Sequence, residues 1–154
     1  MPEFFLANGD VVIRLSIALV LGMVIGAERL FVHKDAGMKT HALVSVGSAL
    51  FVIISEMMAA HYSALGDFDP TRMASQIIVG IGFLGAGSIM VYGSQIRGLA
   101  TAGGLWVTAG IGMAAGFQFY DLAVIAALIV LFIFVVVNMF EKPIRKISRD
   151  AEAL

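Results

Sequence analysis

The stretch Gly80-Ile81-Gly82-Phe83-Leu84-Gly85-Ala86-Gly87 decides how the rest of the chain is interpreted. Its first six residues match G-x-G-x-x-G. In dinucleotide-binding folds that motif follows a strand, opens a helix and precedes an acidic residue about 20 positions later. Here the motif lies inside an apolar segment from Met73 to Tyr92, and the later positions are Gly103, Gly104 and Leu105. The stretch therefore predicts a glycine-rich membrane helix and not a nucleotide site.

The glycines of this stretch fall on two sides of the predicted helix. At 100° per residue, Gly80 and Gly87 share one face, whereas Gly82 and Gly85 lie on a roughly opposite one. Small residues on two sides allow two neighbouring helices to approach closely. We therefore expect this helix to lie at the centre of a bundle, and Gly82→Leu to disrupt assembly.

The composition is that of a membrane protein. The 154 residues are 60% hydrophobic and 14% charged, whereas soluble proteins carry about 25% charged residues. The formal net charge is −1 and no basic patch lies outside the loops, which argues against a nucleic-acid partner. The chain has no cysteine and three separate histidines. Because it contains no nucleophile–base pair and no cofactor motif, the sequence predicts no enzyme activity, no catalytic residue and no cofactor. It leaves open whether the protein binds a metal ion.

Five segments have about the 20 apolar residues needed to cross a bilayer. They are residues 11–29, 41–61, 73–92, 99–117 and 122–140. A short basic tail, residues 141–154, follows the last of them. The predicted fold is all-α: one membrane domain over residues 1–154, a bundle of five transmembrane helices.

The distribution of basic residues predicts the orientation. One side of the membrane holds Arg29, Lys34, Lys39, Arg97, Lys142, Arg145, Lys146 and Arg149, and the other side is mostly acidic. The N-terminus is therefore expected outside and the C-terminus in the cytoplasm. A reporter fused after Leu154 that is active only outside would contradict this orientation.

Polar residues crowd the predicted cytoplasmic boundary. We expect a functional polar cluster there, formed by Glu28, Arg29, Lys39, Thr40, His41 and Arg97. Glu28 would neutralise one or two of the cations, since an unpaired charge at this depth is costly. The alternative is an interfacial anchor in which the long side chains reach the headgroups. Thr40 is also a candidate cap for the second helix.

Other polar residues lie within the predicted spans, namely Glu56, Gln76, Thr101 and Thr108. An intramembrane carboxylate needs a partner, and for Glu56 the sequence offers His61, Arg72 or the outer interface. Gln76 is expected to point inward. Thr101 and Thr108 share a face and are candidates to line a narrow path.

Small residues recur at helical spacing, and the last span lacks this pattern. Such stripes are typical of close helix packing in membranes. The glycines assigned to packing are Gly22, Gly26, Gly80, Gly82, Gly85, Gly87, Gly110 and Gly112. The fifth helix, rich in Val, Ile, Leu and Phe, is expected at the lipid-facing edge.

Together these motifs resemble the N-terminal membrane domain of the MgtC/SapB family of bacterial inner-membrane proteins. The matching stretches are Gly22-x-x-x-Gly26-Ala27-Glu28-Arg29, residues 36–44 (AGMKTHALV), Gln76, residues 80–89 (GIGFLGAGSI), Arg97-Gly98-Leu99, Thr101-Ala102, Leu105-Trp106 and Gly110-Ile111-Gly112. The resemblance covers roughly residues 15–140.

The resemblance implies a multi-pass protein of the bacterial inner membrane linked to magnesium homeostasis. Members are associated with survival in low magnesium and, in some cases, with growth inside host cells. They are described either as magnesium transporters or as regulators acting on the F-type ATP synthase or on membrane potential.

Three departures from the family pattern bear on function. Many members carry a cytoplasmic C-terminal domain of the small-molecule-sensing α/β kind, whereas this sequence ends shortly after the last span. Lys39 stands where the family usually has Arg. Lysine keeps the positive charge but cannot form the paired hydrogen bonds of a guanidinium group. Ala100 stands where Thr or Asn is common. Ala100 and the missing C-terminal domain weaken the transfer of a virulence role.

Two functions follow from these observations. The first is a non-enzymatic regulator that docks against another membrane complex such as the F-type ATP synthase, with the bilayer and a second copy of the chain as further partners. The second is a transporter or channel for magnesium or another small ion. The sequence fixes neither the partner nor the ion.

Overall fold

The computed structural model describes residues 8–62, 69 and 71–140. Within these ranges the chain forms five α-helices and one β-hairpin. In chain order they are α1 (Gly9–Phe31), α2 (Met38–Tyr62), α3 (Thr71–Gly87), β1 (Met90–Tyr92), β2 (Gln95–Arg97), α4 (Leu99–Gly116) and α5 (Tyr120–Phe132). A π-helical turn, Ile133–Val137, continues α5. The predicted basic tail lies outside the described residues.

Four of these helical segments are long and apolar enough to cross a membrane: α1, α2, α4 and the continuous segment Tyr120–Phe140. The predicted all-α membrane bundle is confirmed. Which end of the bundle faces outward stays a prediction.

The third helix is shorter than predicted. Its 17 residues end at Gly87 and not at Tyr92, so it is about 26 Å long at 1.5 Å per residue. The hydrocarbon core of a bilayer is about 30 Å thick. The residues after Gly87 adopt another conformation.

Those residues form a hairpin that the sequence analysis missed. β1 and β2 pair antiparallel, with Val91 opposite Ile96. The two-residue loop between them begins at Gly93, whose φ of 60° suits a tight hairpin turn. Hydropathy alone cannot distinguish a longer helix from a hairpin here, because Val91, Tyr92 and Ile96 are apolar and are also good strand formers.

The centre of the bundle is α4 and not α3. α4 contacts each of the other four helices, and half of its residues are buried: Thr101, Gly104, Leu105, Thr108, Ala109, Ile111, Gly112, Ala115 and Gly116. In α3 the buried residues are Ile81 and Gly85. The prediction of a central α3 is therefore wrong.

The glycines of α3 explain this error. A Cβ added at Gly80, Gly82 or Gly87 meets no atom within 4 Å among the described residues. At Gly85 the nearest atom is the Ala102 Cβ, at 3.6 Å. Glycine spacing shows which sides of a helix are thin, but it does not show whether a neighbour occupies them.

The closest helix contacts join α1, α2 and α4. A Cβ at Gly22 would lie 2.7 Å from the His41 carbonyl oxygen, and one at Gly26 would lie 2.5 Å from the Met38 Cα. At Gly112 it would collide with the Ser45 backbone, whose Cα is 2.8 Å away. Gly110, also predicted to pack, has open space around it in the described part of the chain.

Candidate functional site

Arg29 lies at the C-terminal end of α1 and is almost completely buried, with 3% of its surface exposed. Its Nε donates a hydrogen bond to Glu28 Oε2, and its guanidinium carbon lies 3.5 Å from the centroid of the Phe134 ring. A buried guanidinium needs both a counter-charge and partners for its faces. Glu28 and Phe134 supply these.

Phe134 reaches Arg29 because of two local features. It belongs to the π-helical turn that follows α5, and such turns are often found at functional positions. A Cβ at Gly104 would lie 2.9 Å from the tip of the Phe134 ring and 3.5 Å from His41 Cε1. The absence of a side chain at Gly104 therefore lets both rings enter the site.

His41 lies one turn into α2 and is fully buried. Its Nδ1 is 2.8 Å from Thr108 Oγ1, and the Thr108 hydroxyl donates to the Gly104 carbonyl oxygen at 2.8 Å. Either group can donate in the His41–Thr108 bond, depending on the imidazole tautomer. The buried Ser45 Oγ has no hydrogen-bond partner among the described residues.

We name Glu28, Arg29, His41, Thr108 and Phe134 the Arg29 cluster. It joins α1, α2, α4 and the segment after α5 at one end of the bundle. Of the predicted cytoplasmic cluster, the structure brings together Glu28, Arg29 and His41. Thr108, predicted as an intramembrane polar residue, belongs to the same group.

The other predicted members of this cluster have exposed side chains. Lys39 and Thr40 are exposed, and Thr40 cannot cap α2 because the helix already begins at Met38. Arg97 is exposed in β2, with its guanidinium carbon 5.6 Å from the centroid of the Tyr92 ring. These three residues are therefore not part of the buried group, and a functional role for them stays a prediction.

Replacing Thr108 with Val should lower the free energy of unfolding by about 1–3 kcal/mol, because it leaves the buried His41 Nδ1 without its hydrogen-bond partner. Denaturant unfolding in mixed micelles measures the change. Thr40→Val, at an exposed position of α2, is the matched control and should change stability by less than about 0.5 kcal/mol. Equal effects of the two substitutions would show that the His41–Thr108 bond does not stabilise the bundle.

A second charged group surrounds Arg14 in α1, which is 8% exposed. Arg14 pairs with Glu56 of α2 and, at 2.7 Å, with Asp10. It also donates to the Gly116 carbonyl oxygen at 2.9 Å. With the Gln118 amide turned so that its oxygen faces the guanidinium, Arg14 Nε donates to it at 3.1 Å. We name these five residues the Arg14 cluster.

The Arg14 cluster corrects the prediction for Glu56. The sequence analysis offered His61, Arg72 or the interface as partners for this carboxylate, whereas Arg14 binds it. A signal was present: Arg14 precedes Ala18, Gly22 and Gly26 at four-residue intervals, on the stripe that α1 buries.

The two clusters lie at opposite ends of the bundle. Arg14 and Arg29 are 15 residues apart on α1, or about 22 Å along the helix. Buried hydroxyl groups lie between or beside them, at Ser45, Ser48, Ser55, Thr101 and Thr108. Gln76 does not join them. It is exposed and lines a space between α2 and α3, so its inward orientation stays a prediction.

The chemistry available at these clusters is electrostatic. Glu28 and Glu56 are both paired with arginines. The part of the chain that the structure describes contains no group of three or more His, Cys, Asp or Glu side chains able to hold a metal ion. The clusters therefore compensate buried charge and join helices.

Comparison with known proteins gives a consistent result. The model described as "MgtC family" matches residues 15–143. The Escherichia coli (strain K12) protein named "Putative magnesium transporter YhiD" is 41% identical over 82% of this chain and 60% of its own length. "Protein MgtC" of Brucella abortus (strain 2308) is 42% identical over 82% of this chain and 49% of its own length.

A third relative, "Protein MgtC" of Salmonella paratyphi A, is 41% identical over 92% of this chain and 58% of its own length. The chain thus spans about half to three-fifths of the length of these relatives. No solved structure matches it.

Proposed function

Because the chain belongs to the MgtC family, we propose that it is a non-enzymatic regulator in the bacterial inner membrane that docks against another membrane protein complex. The observation that carries the proposal is a face of α3 that no other described residue covers, which we name the docking face. It consists of Val79, Gly82, Phe83 and Ala86, spaced so that they share one side of the helix. All four are exposed, Phe83 by 82%.

The chemistry of this face suits a protein neighbour in the bilayer. Gly82 and Ala86 form a small-xxx-small pair, which lets another helix approach its backbone closely. Phe83 stands beside them as a large side chain that could fill a gap in a partner. The F-type ATP synthase, to which the family resemblance points, is one example of such a complex.

The charged residues support the same proposal. Glu28–Arg29 and Glu56–Arg14 are ion pairs that join or stabilise helices. Both carboxylates therefore have a structural role. This arrangement favours a protein that acts through its surface.

A photo-crosslinking residue at Phe83 should capture a membrane protein in native membranes, whereas one at Leu128, on α5 and 60% exposed, should capture little. Gly82→Leu should fold normally, because its surroundings are open, and should lose the crosslink. Gly103→Leu, at another open helical glycine, should retain it. Equal capture from both helices, or no capture with unchanged ATP-driven proton pumping in a deletion strain, would contradict the proposal. If the crosslinker captures a second copy of this chain, the docking face is a self-association surface and the proposed docking to another complex is wrong.

Magnesium transport is the second candidate, favoured by the name of the YhiD relative and by the buried hydroxyls on α2 and α4. Against it, Mg²⁺ keeps several waters and binds through carboxylates, whereas Glu28 and Glu56 are paired with arginines. Magnesium flux into proteoliposomes, with Glu28→Ala as a comparison, distinguishes the two functions. Flux driven by a magnesium gradient would favour transport. The absence of flux at every gradient would exclude transport.

A further inference from the structure

An apolar groove of about 430 Å³ runs between α2 and α3. Its walls are Leu43, Val44, Gly47, Ser48 and Phe51 on α2, and Met73, Gln76, Ile77, Gly80, Ile81 and Leu84 on α3. Nine of these eleven residues have apolar side chains or none. The groove lies on the Gly80 side of α3, and the docking face occupies another side of that helix.

Two glycines create the groove. A Cβ at Gly47 or at Gly80 meets no described atom within 4 Å, so the two helices stand apart at this level. Along α2 the lining continues from Leu43 to Phe51, which is about 12 Å of helix. The groove is too narrow for another α-helix, whose diameter with side chains is about 10–12 Å, because α2 and α3 are still in contact. A single flexible hydrocarbon chain fits such a space.

One end of the groove carries a positive charge. Lys39, Leu43, Gly47 and Phe51 follow each other at four-residue intervals, so they lie in one row on α2. Lys39 is exposed and stands one turn beyond the last lining residue. Lys34 and Arg97 are exposed at the same end of the bundle.

The opposite end carries charges of both signs. Arg72 lies there, and its positive charge acts on the carboxylate of Asp69. Hydrogen bonds from the Thr71 hydroxyl and backbone N–H lower the pKa of Asp69, which keeps that carboxylate charged. Among the described residues, Lys39 therefore marks one end of the groove, and a cation with a nearby anion marks the other.

We propose that this groove binds one acyl chain of an anionic phospholipid whose phosphate lies against Lys39. The apolar walls match the chain, and the charge of Lys39 matches the headgroup. Anionic headgroups attract basic residues near the membrane surface, by about 1 kcal/mol for each Lys or Arg. This site is separate from the docking face, so it does not depend on the regulatory function proposed above.

Native mass spectrometry of the full chain, purified after exchange into vesicles of equal parts phosphatidylglycerol and phosphatidylcholine, tests the proposal. We expect one retained phosphatidylglycerol per chain. Lys39→Gln should reduce the preference for phosphatidylglycerol about fivefold, the equivalent of about 1 kcal/mol. Gly47→Leu should abolish retention of both lipids, because its side chain enters the groove from a position where an added Cβ meets no described atom within 4 Å.

Two control variants make the result specific. Arg72→Gln removes an exposed cation at the opposite end of the groove, and Gly103→Leu adds a side chain at an open glycine of α4. Both should keep the wild-type retention and preference. Retention of the two lipids in bulk proportion would overturn the proposal. Equal losses of lipid retention in the variants and their controls would also overturn it. The same holds if the purified chain retains a polypeptide instead of lipid, and Gly47→Leu displaces that polypeptide.

Discussion

Gly112→Ala should lower the free energy of unfolding by about 3 kcal/mol or more, at the upper end of the range for overpacked cores. The added Cβ would collide with the carbonyl oxygen of Ser45 and lie 2.8 Å from the Ser45 Cα and carbonyl carbon. These are backbone atoms of α2, so no side-chain rotation can relieve the collision. The helices α2 and α4 must move apart, and this separates the buried faces on which the bundle depends.

Unfolding by denaturant in mixed micelles, followed by circular dichroism, measures this loss. Gly103→Ala is the matched control, since it is also inside α4 but meets no described atom within 4 Å. It should be neutral or stabilise the helix by up to about 1 kcal/mol, because Ala has the higher helix propensity. If Gly112→Ala is as well tolerated as Gly103→Ala, then α2 and α4 do not pack as closely as the structure shows.

The contrast between α3 and α4 shows what apolar and glycine patterns can predict. Long apolar runs set the membrane class and located four spans to within a few residues. The patterns did not identify the central helix, because the runs 80–87 and 103–116 are both glycine-rich and only tertiary structure decides which thin faces are covered. Gly112 faces the α2 backbone, whereas Gly80 and Gly82 face open space.

The charged clusters were partly predictable. Glu28 and Arg29 stand at a helix end beside a polar loop, so sequence position alone suggested a pair. His41 and Thr108 are 67 residues apart, and no local pattern links them. The charge distribution alone assigns no partner to Arg14. Its register with Ala18 and Gly22 on the buried stripe of α1 would have indicated a buried arginine that needs carboxylate partners.

The two ion pairs differ in how much each arginine loses when its glutamate is removed. Glu28 and Arg29 have side chains only 12% and 4% exposed, and Glu28 is the carboxylate with which Arg29 is seen to pair. Glu56 is 36% exposed, and without it Arg14 would keep Asp10 and the Gly116 carbonyl. Removing Glu28 should therefore be the more damaging change.

Glu28→Ala should lower the free energy of unfolding by about 3–5 kcal/mol, the cost of leaving a buried charge unpaired. Glu56→Ala should cost about 1 kcal/mol, as for a partly exposed pair. The double substitution Glu28→Ala with Arg29→Leu should recover much of the loss, because an apolar side chain beside Phe134 leaves no charge to compensate. The same unfolding measurement applied to the three variants tests this order. Equal, mild effects of the two single substitutions would instead identify Glu28 and Arg29 as an interfacial anchor whose charges are already solvated by headgroups and water.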